Sequence, residues 1–169
     1  MTMTPDLQDA LNAQIGTEFS ASYSYLSMAS YLEAGSWDGF AAWMTLQSDE
    51  ERTHAIKFYS YLLDRGINVQ LPAISAPTST FASPLDVFEI SFAQEKAVTA
   101  SIHHLYKLAH DNADYATVSF LKWFIDEQVE EEKNVSDMIE KLKRANGNPE
   151  AMLLLDRVAG ERSAVSERA

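Results

Sequence analysis

Helix start and stop signals divide the sequence into four long segments and a short fifth one. Pro5, Pro84 and Pro149 each follow a Thr, Ser or Asn, an order typical of a helix N-terminus. Gly35 and Gly66 stop the first two helical patterns, and an Asn-Gly pair stops the fourth. These signals predict helices over about 5–34, 37–65, 84–110, 115–145 and 149–160. Residues 163–169 are predicted to fray.

The connections between these segments predict the topology. Ser36 and Asp114 are predicted to cap the second and fourth helices across short turns, so each joined pair is antiparallel. The polar connection from Ile67 to Ser83 reaches up to about 56 Å when extended, more than the roughly 40–47 Å length of a helix. The third helix is therefore expected to run parallel to the second. The predicted fold is an all-α four-helix bundle with one long crossover and a short C-terminal helix.

Composition limits the class of protein further. The 169 residues are 46% hydrophobic, which indicates one domain spanning residues 1–169. The absence of cysteine excludes disulfides, thiolate metal sites and cysteine nucleophiles. The formal charge of -12 argues against a nucleic-acid partner, and no apolar run approaches the roughly 18 residues of a membrane span. Without a basic and apolar leader at its start, the chain is expected to be soluble and cytoplasmic.

Each long helix carries a carboxylate near the middle of its apolar stripe. Steps of three or four residues along the stripes reach Glu18, Glu51, Glu95 and Glu131, each within about one turn of its own helix midpoint. Because all four are central, they meet at one level whichever way each helix points. Each buried carboxylate costs several kcal/mol, and no Lys or Arg lies near them on the stripes. Two divalent cations would neutralise four such charges.

The ligand types indicate which metal is bound. His54 follows Glu51 by three residues, so both side chains project from one helix face. A Glu-x-x-His pair inside a helical bundle is an established signature of carboxylate-bridged di-iron sites. A lone pair of this kind occurs by chance, so the prediction depends on all four carboxylates together. Mixed oxygen and imidazole ligands favour iron or manganese, with Glu51 as the bridging ligand.

A second set of acids lies beside the stripes. Glu50, Glu127 and Glu130 each precede a stripe position by one residue. The residues alone leave two interpretations equally open: a third cation site or iron transfer route, and a solvated acidic flank. Tyr25, on the stripe of Glu18, is by residue type more often a core residue than a cofactor partner.

On its four helices the sequence carries the ligand set Glu18, Glu51-x-x-His54, Glu95 and Gln128-x-x-Glu131. With this set the chain resembles the prokaryotic non-haem ferritins of the ferritin-like di-iron superfamily over nearly its whole length. The resemblance implies one iron held by Glu18, Glu51 and His54, and a second held by Glu51 and Glu95. Gln128 would lie beside the pair.

The resemblance also bears on the neighbouring residues. It implies a third iron site formed by Glu50, Glu127, Glu130 and Glu131. It also implies that Tyr25 and Trp123 are the family's site-adjacent tyrosine and tryptophan, and electron donation by Tyr25 is a hypothesis.

Haem is not expected. A bacterioferritin would carry a haem-ligating Met directly after the bridging Glu, where this sequence has Arg52. It would also repeat Glu-x-x-His on the fourth helix, where Glu127 is followed three residues later by Glu130.

Such ferritins oxidise Fe(II) with O2 or H2O2 and store ferric mineral inside a 24-subunit shell, so ferroxidase activity and self-assembly are expected. Two alternatives stay open: a di-iron oxidase or peroxidase that stores nothing, and a helical interaction module whose acids are structural. The apolar fifth helix leaves its partner undecided between another subunit and its own bundle.

Overall fold

Residues 3–162, which the computed structural model describes, form five helices and confirm the predicted all-α fold. The helices are α1 (Pro5–Ala34), α2 (Asp38–Asp64), α3 (Pro84–Asp111), α4 (Tyr115–Ala145) and α5 (Pro149–Gly160). Every predicted boundary lies within one residue of the observed one. The predicted fraying of residues 163–169 lies outside the described residues. Within residues 3–162, none of the helices has the length and apolar character that crossing a membrane requires.

Three of the predicted helix caps form, at Ser83, Asp114 and Asn148, and two are wrong. Thr4 precedes α1 but makes no side-chain hydrogen bond to its first turn. Asp114 accepts a hydrogen bond from the Thr117 N–H at 3.1 Å, and Ser83 caps α3 in the same way. Ser36 does not cap α2, which begins at Asp38. Instead Ser36 takes a left-handed conformation with φ 60° and terminates α1, where its N–H and that of Trp37 bond to the last carbonyls of that helix. The backbone of Ser36 therefore belongs to the end of α1, and Trp37 occupies the position before α2.

Hydrogen bonds between the helices establish the topology. Ser101 donates to Gln14, and Tyr25 is 3.2 Å from Ser91, so rising numbers on α1 meet falling numbers on α3. The two helices are therefore antiparallel. Since α1 and α2 are also antiparallel across a short turn, α3 runs parallel to α2, as predicted.

The crossover between α2 and α3 runs along the outside of α1. Near one end of α1, Asn12 exchanges two hydrogen bonds with the backbone of Gln70, at 2.6 and 2.8 Å. Nearer the other end, the Ser27 hydroxyl donates to the Thr78 carbonyl at 2.6 Å. Because the crossover lies outside, the four helices face one another directly across the bundle interior.

The interior consists of two apolar clusters with a polar layer between them. Toward the α1–α2 turn the cluster includes Leu32, Phe40, Phe88 and Leu142. At the opposite end it includes Leu7, Leu11, Phe58, Ile102 and Leu121. The clusters exclude water from both ends of the central layer, where the predicted carboxylates lie.

Helix α5 packs on its own bundle and still presents an apolar face outward. Its Asp156 side chain accepts a hydrogen bond from the Phe40 N–H at 2.8 Å and so caps the start of α2. Leu153 and Leu154 remain 62% exposed, and Val158 is exposed as well. The sequence left open whether the fifth helix packs on its own bundle or on another subunit. One face of α5 packs on its own bundle, and the other face remains exposed.

Candidate metal centre

The four predicted carboxylates converge in the central layer, one from each long helix. Glu18, Glu51 and Glu95 are fully buried, Glu131 is 3% exposed and His54 is 4% exposed. No lysine or arginine forms an ion pair with the four glutamates within residues 3–162. Such burial without a paired cation is unfavourable unless protons or metal ions neutralise the charge.

Glu18, Glu51 and His54 form the tightest group. One ligand atom from each lies within 4.8 Å of the others, and among residues 3–162 no second group of His, Asp or Glu is this compact. The His54 Nδ1 atom is 3.3 Å from Glu51 Oε2. Glu18 Oε2 and Glu51 Oε1 are buried without any hydrogen-bond partner. Two unpartnered carboxylate oxygens beside an imidazole nitrogen are what an absent cation would leave.

A buried glutamine orients Glu18. Gln14 is 2% exposed, and its Nε2 atom donates to Glu18 Oε1 at 2.8 Å. Its own Oε1 atom accepts a hydrogen bond from Ser101. The hydrogen bond fixes one oxygen of Glu18 and leaves the other available as a ligand. Gln14 was not among the predicted site residues, although its position one turn before Glu18 on the same helix face could have indicated this role.

Tyr25 and Gln128 both bind Glu95. The Tyr25 hydroxyl donates to Glu95 Oε1 and lies 3.2 Å from Ser91. Gln128 Nε2 donates to Glu95 Oε2 at 3.2 Å and lies 3.3 Å from the backbone carbonyl of the same residue. The predicted site-adjacent residues are thus in direct contact with a predicted ligand. Both oxygens of Glu95 are held by donors.

The outer acids are less closely assembled. Glu50 is half-buried and paired with Arg162, while Glu127 is half-buried and Glu130 is exposed. Glu50 and Glu131 are linked through two side chains, since Gln47 donates to Glu131 and accepts from Arg162, which pairs with Glu50. Repulsion from Glu50 contributes to the raised pKa of Glu131. Within residues 3–162 the four acids do not form a group as tight as that of Glu18, Glu51 and His54. The third site stays a prediction.

Burial and mutual repulsion raise the pKa of all four central carboxyls. Burial raises the pKa of Glu18 to about 7 and that of Glu131 to about 8. Burial, followed by repulsion from Glu95 and Glu18, raises the pKa of Glu51 well above its usual range. The pKa of Glu95 is also raised, again chiefly by burial. Near neutral pH the empty centre therefore holds protons that an arriving cation would displace.

His54 is neutral under the same conditions. Burial, with a smaller contribution from the Lys57 charge, lowers its pKa to about 4. Its ring packs edge-on against Trp123 at 5.4 Å and Phe124 at 5.8 Å between centroids. Trp123 therefore touches the imidazole, as its predicted place beside the site requires. A neutral imidazole keeps a nitrogen lone pair for a metal.

Four buried carboxylates and one neutral imidazole, supplied by four helices, define a carboxylate-bridged dinuclear metal protein. Their oxygen and nitrogen donors favour iron or manganese over magnesium, which prefers oxygen alone.

Comparisons with known proteins agree with this class. The family described as Ferritin, ferritin-like domain, matches residues 8–145. Bacterial non-heme ferritin from Staphylococcus aureus strain USA300 is 40% identical over 161 residues, covering 95% of this chain and 97% of the relative. The counterpart from Staphylococcus saprophyticus is 41% identical over the same length, covering 95% of this chain and 96% of the relative. The solved structure of an open pore ferritin from Archaeoglobus fulgidus superposes with a TM-score of 0.94 at 40% identity, covering 95% of this chain and 99% of that one.

The chain belongs to the ferritin family, as its ligand set predicted. Iron storage and Fe(II) oxidation are the activities of this family, and both match the buried centre. Iron is the metal, and it is handled as a substrate.

Proposed function

We propose that Fe(II) is oxidised at the central carboxylates and then stored as ferric mineral inside a shell built from copies of this chain. Glu18, Glu51 and His54 hold one iron, Glu51 bridges to the second, and Glu95 completes that position beside Gln128. The observation that carries this proposal is the pair of buried, unpartnered oxygens on Glu18 and Glu51 next to a neutral imidazole.

Iron uptake exchanges protons for metal. With pKa values of about 7 and about 8, Glu18 and Glu131 are protonated to a large extent in the empty centre near neutral pH. Two Fe(II) ions displace these protons and neutralise the carboxylates. The protein supplies ligands for this exchange from rigid helices, so the two irons are held close together before any electron moves.

Oxidation takes one electron from each Fe(II). With O2, the two electrons and two protons yield H2O2. With H2O2 as oxidant, the two electrons and two protons yield two waters. Each Fe(III) then hydrolyses to ferric oxyhydroxide with release of three protons, and the empty carboxylates can bind Fe(II) again.

Tyr25 is proposed to act beside this reaction in two ways. Its hydroxyl fixes the ligand Glu95 through a hydrogen bond. The second role is electron donation to the oxidant or the irons, which is supported by the burial of the ring and by the contact of its hydroxyl with Glu95.

Glu50, Glu127 and Glu130, with Glu131, are proposed to hold a third iron on its way to the mineral. The support is the chain of contacts that joins Glu131, in the central layer, to Glu50 through Gln47 and Arg162.

Assembly into a 24-subunit hollow shell in the cytoplasm is proposed from the likeness to bacterial and archaeal ferritins. The outward apolar face of α5, which includes Leu153 and Leu154, is suited to contacts between copies. Absence of haem is proposed because Arg52 replaces the expected methionine and because the bacterial relatives are named non-heme ferritins.

Aerobic loading of the metal-free protein with excess Fe(II), followed by size-exclusion chromatography with iron assayed across the fractions, tests the proposal. Storage predicts iron that elutes with a large assembly, far beyond the amount that three positions per chain can hold. A few irons per chain on a small species would instead identify an oxidase that stores nothing.

Glu51→Ala tests the centre itself. The variant should lose rapid Fe(II) oxidation because it lacks the bridging carboxylate, while Glu140→Ala, which removes an exposed glutamate of α4, should oxidise iron normally. Rapid oxidation by Glu51→Ala would mean that the buried acids are structural, as in a helical interaction module.

A further inference from the structure

Arg162, two residues beyond α5, brings a positive charge to the acidic side of the centre. Its Nη2 atom is 3.0 Å from Glu50 Oε2, and its Nη1 atom donates to Gln47 Oε1. The guanidinium carbon lies 4.5 Å from the centroid of the Trp43 ring. With a side chain only 13% exposed, Arg162 is held in place on three sides.

Gln47 connects this arginine to the iron ligands. Its Oε1 atom accepts from Arg162, and its Nε2 atom donates to Glu131 Oε2 at 2.9 Å. One amide side chain therefore separates the guanidinium from Glu131. Glu50 and Glu131 are two of the four acids proposed to hold the third iron. Both therefore lie in the field of the Arg162 charge.

The ion pair uses a carboxylate oxygen that the third iron would need. A divalent cation between Glu50 and Glu131 would meet the guanidinium as a like charge at short range, in a partly desolvated setting where repulsion is strong. The cation and the arginine therefore compete for Glu50. The competition is intramolecular, because Arg162 is tethered by α5 to the same subunit.

We propose that Arg162 sets the affinity of the third iron position by occupying Glu50 whenever that position is empty. This inference rests on the third position of the proposed function. Arg162 affects how tightly iron is held at the third position and takes no part in the oxidation at the two central iron positions. A third iron that must displace a tethered cation is bound weakly and leaves readily, as transfer to a mineral requires.

Calorimetric titration of the metal-free shell with Zn²⁺, which cannot be oxidised, tests this assignment. The variants are Arg162→Gln, Glu50→Gln and the two combined. Arg157→Gln is the matched control, since it removes a positive charge from α5, near Arg162 in the sequence. The Arg157 side chain is 81% exposed, and its contact with Glu161 is 3.8 Å long.

Arg162→Gln should tighten the third binding event about tenfold, because one partly buried charge-assisted bond no longer competes. The first two events should be unchanged, and Arg157→Gln should titrate like the wild type. Glu50→Gln should abolish the third event with or without Arg162.

Two results would overturn the inference, and they are distinguishable. A third event that is equally tight or weaker in Arg162→Gln would leave the third position standing and remove the competition. Two tight events with no third event in either wild type or Arg162→Gln would show that the third iron position does not exist.

Hydrogen exchange of the wild-type protein gives an independent readout that needs no variant. Filling the third position should release Arg162, so amide exchange in the last turn of α5 should increase after the third Zn²⁺ equivalent and not before. Unchanged exchange throughout the titration would contradict displacement.

Discussion

Replacing Glu131 by Gln should stabilise the metal-free protein at alkaline pH. The substitution preserves the shape of the side chain and removes its charge. The hydrogen bond from Gln47 Nε2, 2.9 Å long in the wild type, can form equally to the amide oxygen of the new side chain. The main difference between the two proteins is therefore the ionisation of one buried carboxyl.

The expected magnitude follows from the pKa of Glu131, which burial raises from 4.5 to about 8. Because the native pKa is higher than the unfolded one, the native state binds more protons between these values, and stability falls as pH rises through this window. At about 1.36 kcal/mol per pKa unit, the loss is below about 1 kcal/mol at pH 5 and on the order of 4 kcal/mol at pH 8. Glutamine avoids this loss.

Chemical denaturation at pH 5 and pH 8, at equal protein concentration and after removal of all metal, measures the effect. The expected result is a small difference between variant and wild type at pH 5 and a large stabilisation of Glu131→Gln at pH 8. Glu140→Gln, which changes an exposed position of the same helix, serves as the control and should show little difference at either pH.

A stabilisation of equal size at both pH values would refute the reasoning, because it would not come from titration. Destabilisation at pH 8 would refute it more strongly, since it would mean that the charged form of Glu131 is favourable in the empty centre.

Three other changes test separate parts of the structure. Tyr25→Phe should slow Fe(II) oxidation several-fold in stopped-flow measurements, and unchanged kinetics would remove the tyrosine from the reaction. Gln14→Leu leaves Glu18 without its donor, so the tightest Zn²⁺ event in calorimetry should weaken about 10–100-fold; wild-type affinity would mean that Glu18 is positioned without it. Gly39→Ala would place a Cβ atom 1.7 Å from a backbone carbonyl oxygen of α5, so that helix should become sensitive to proteolysis; resistance equal to the wild type would contradict the packing.

The residues of the central layer could be predicted from the sequence because helix periodicity determines which residues share a face. Glu18, Glu51, Glu95 and Glu131 lie on apolar stripes, and their central positions make them meet without knowledge of helix direction. His54 followed from the same rule at a separation of three residues. These predictions needed only the spacing of residues along a regular helix, which can be read directly from the sequence.

Other features depend on contacts between distant parts of the chain. Arg162 approaches Glu50 across 112 residues, a pairing that no periodicity indicates. The closeness of Pro72 to Gly16, where a Cβ atom would lie 2.4 Å from the proline ring, is equally invisible in the sequence. The prediction that Ser36 caps α2 was wrong for a different reason. A serine between two helices is compatible with ending the first or beginning the second, and the backbone conformation decides between them.

The same four carboxylates make the empty centre unstable and the filled centre selective for cations. Raised pKa values mean that protons occupy the carboxyls near neutral pH, so binding each iron requires proton release, and iron affinity must rise with pH over the range in which Glu18 and Glu131 titrate. Stability of the empty protein falls over that same range. Both pH trends have one cause, the burial of acids without a paired lysine or arginine. If a lysine or arginine neutralised these acids inside the centre, neither the iron affinity nor the stability would depend on pH in this way. Arg162 pairs with Glu50 and is separated from Glu131 by the side chain of Gln47. Its positive charge therefore lies outside the two central iron positions.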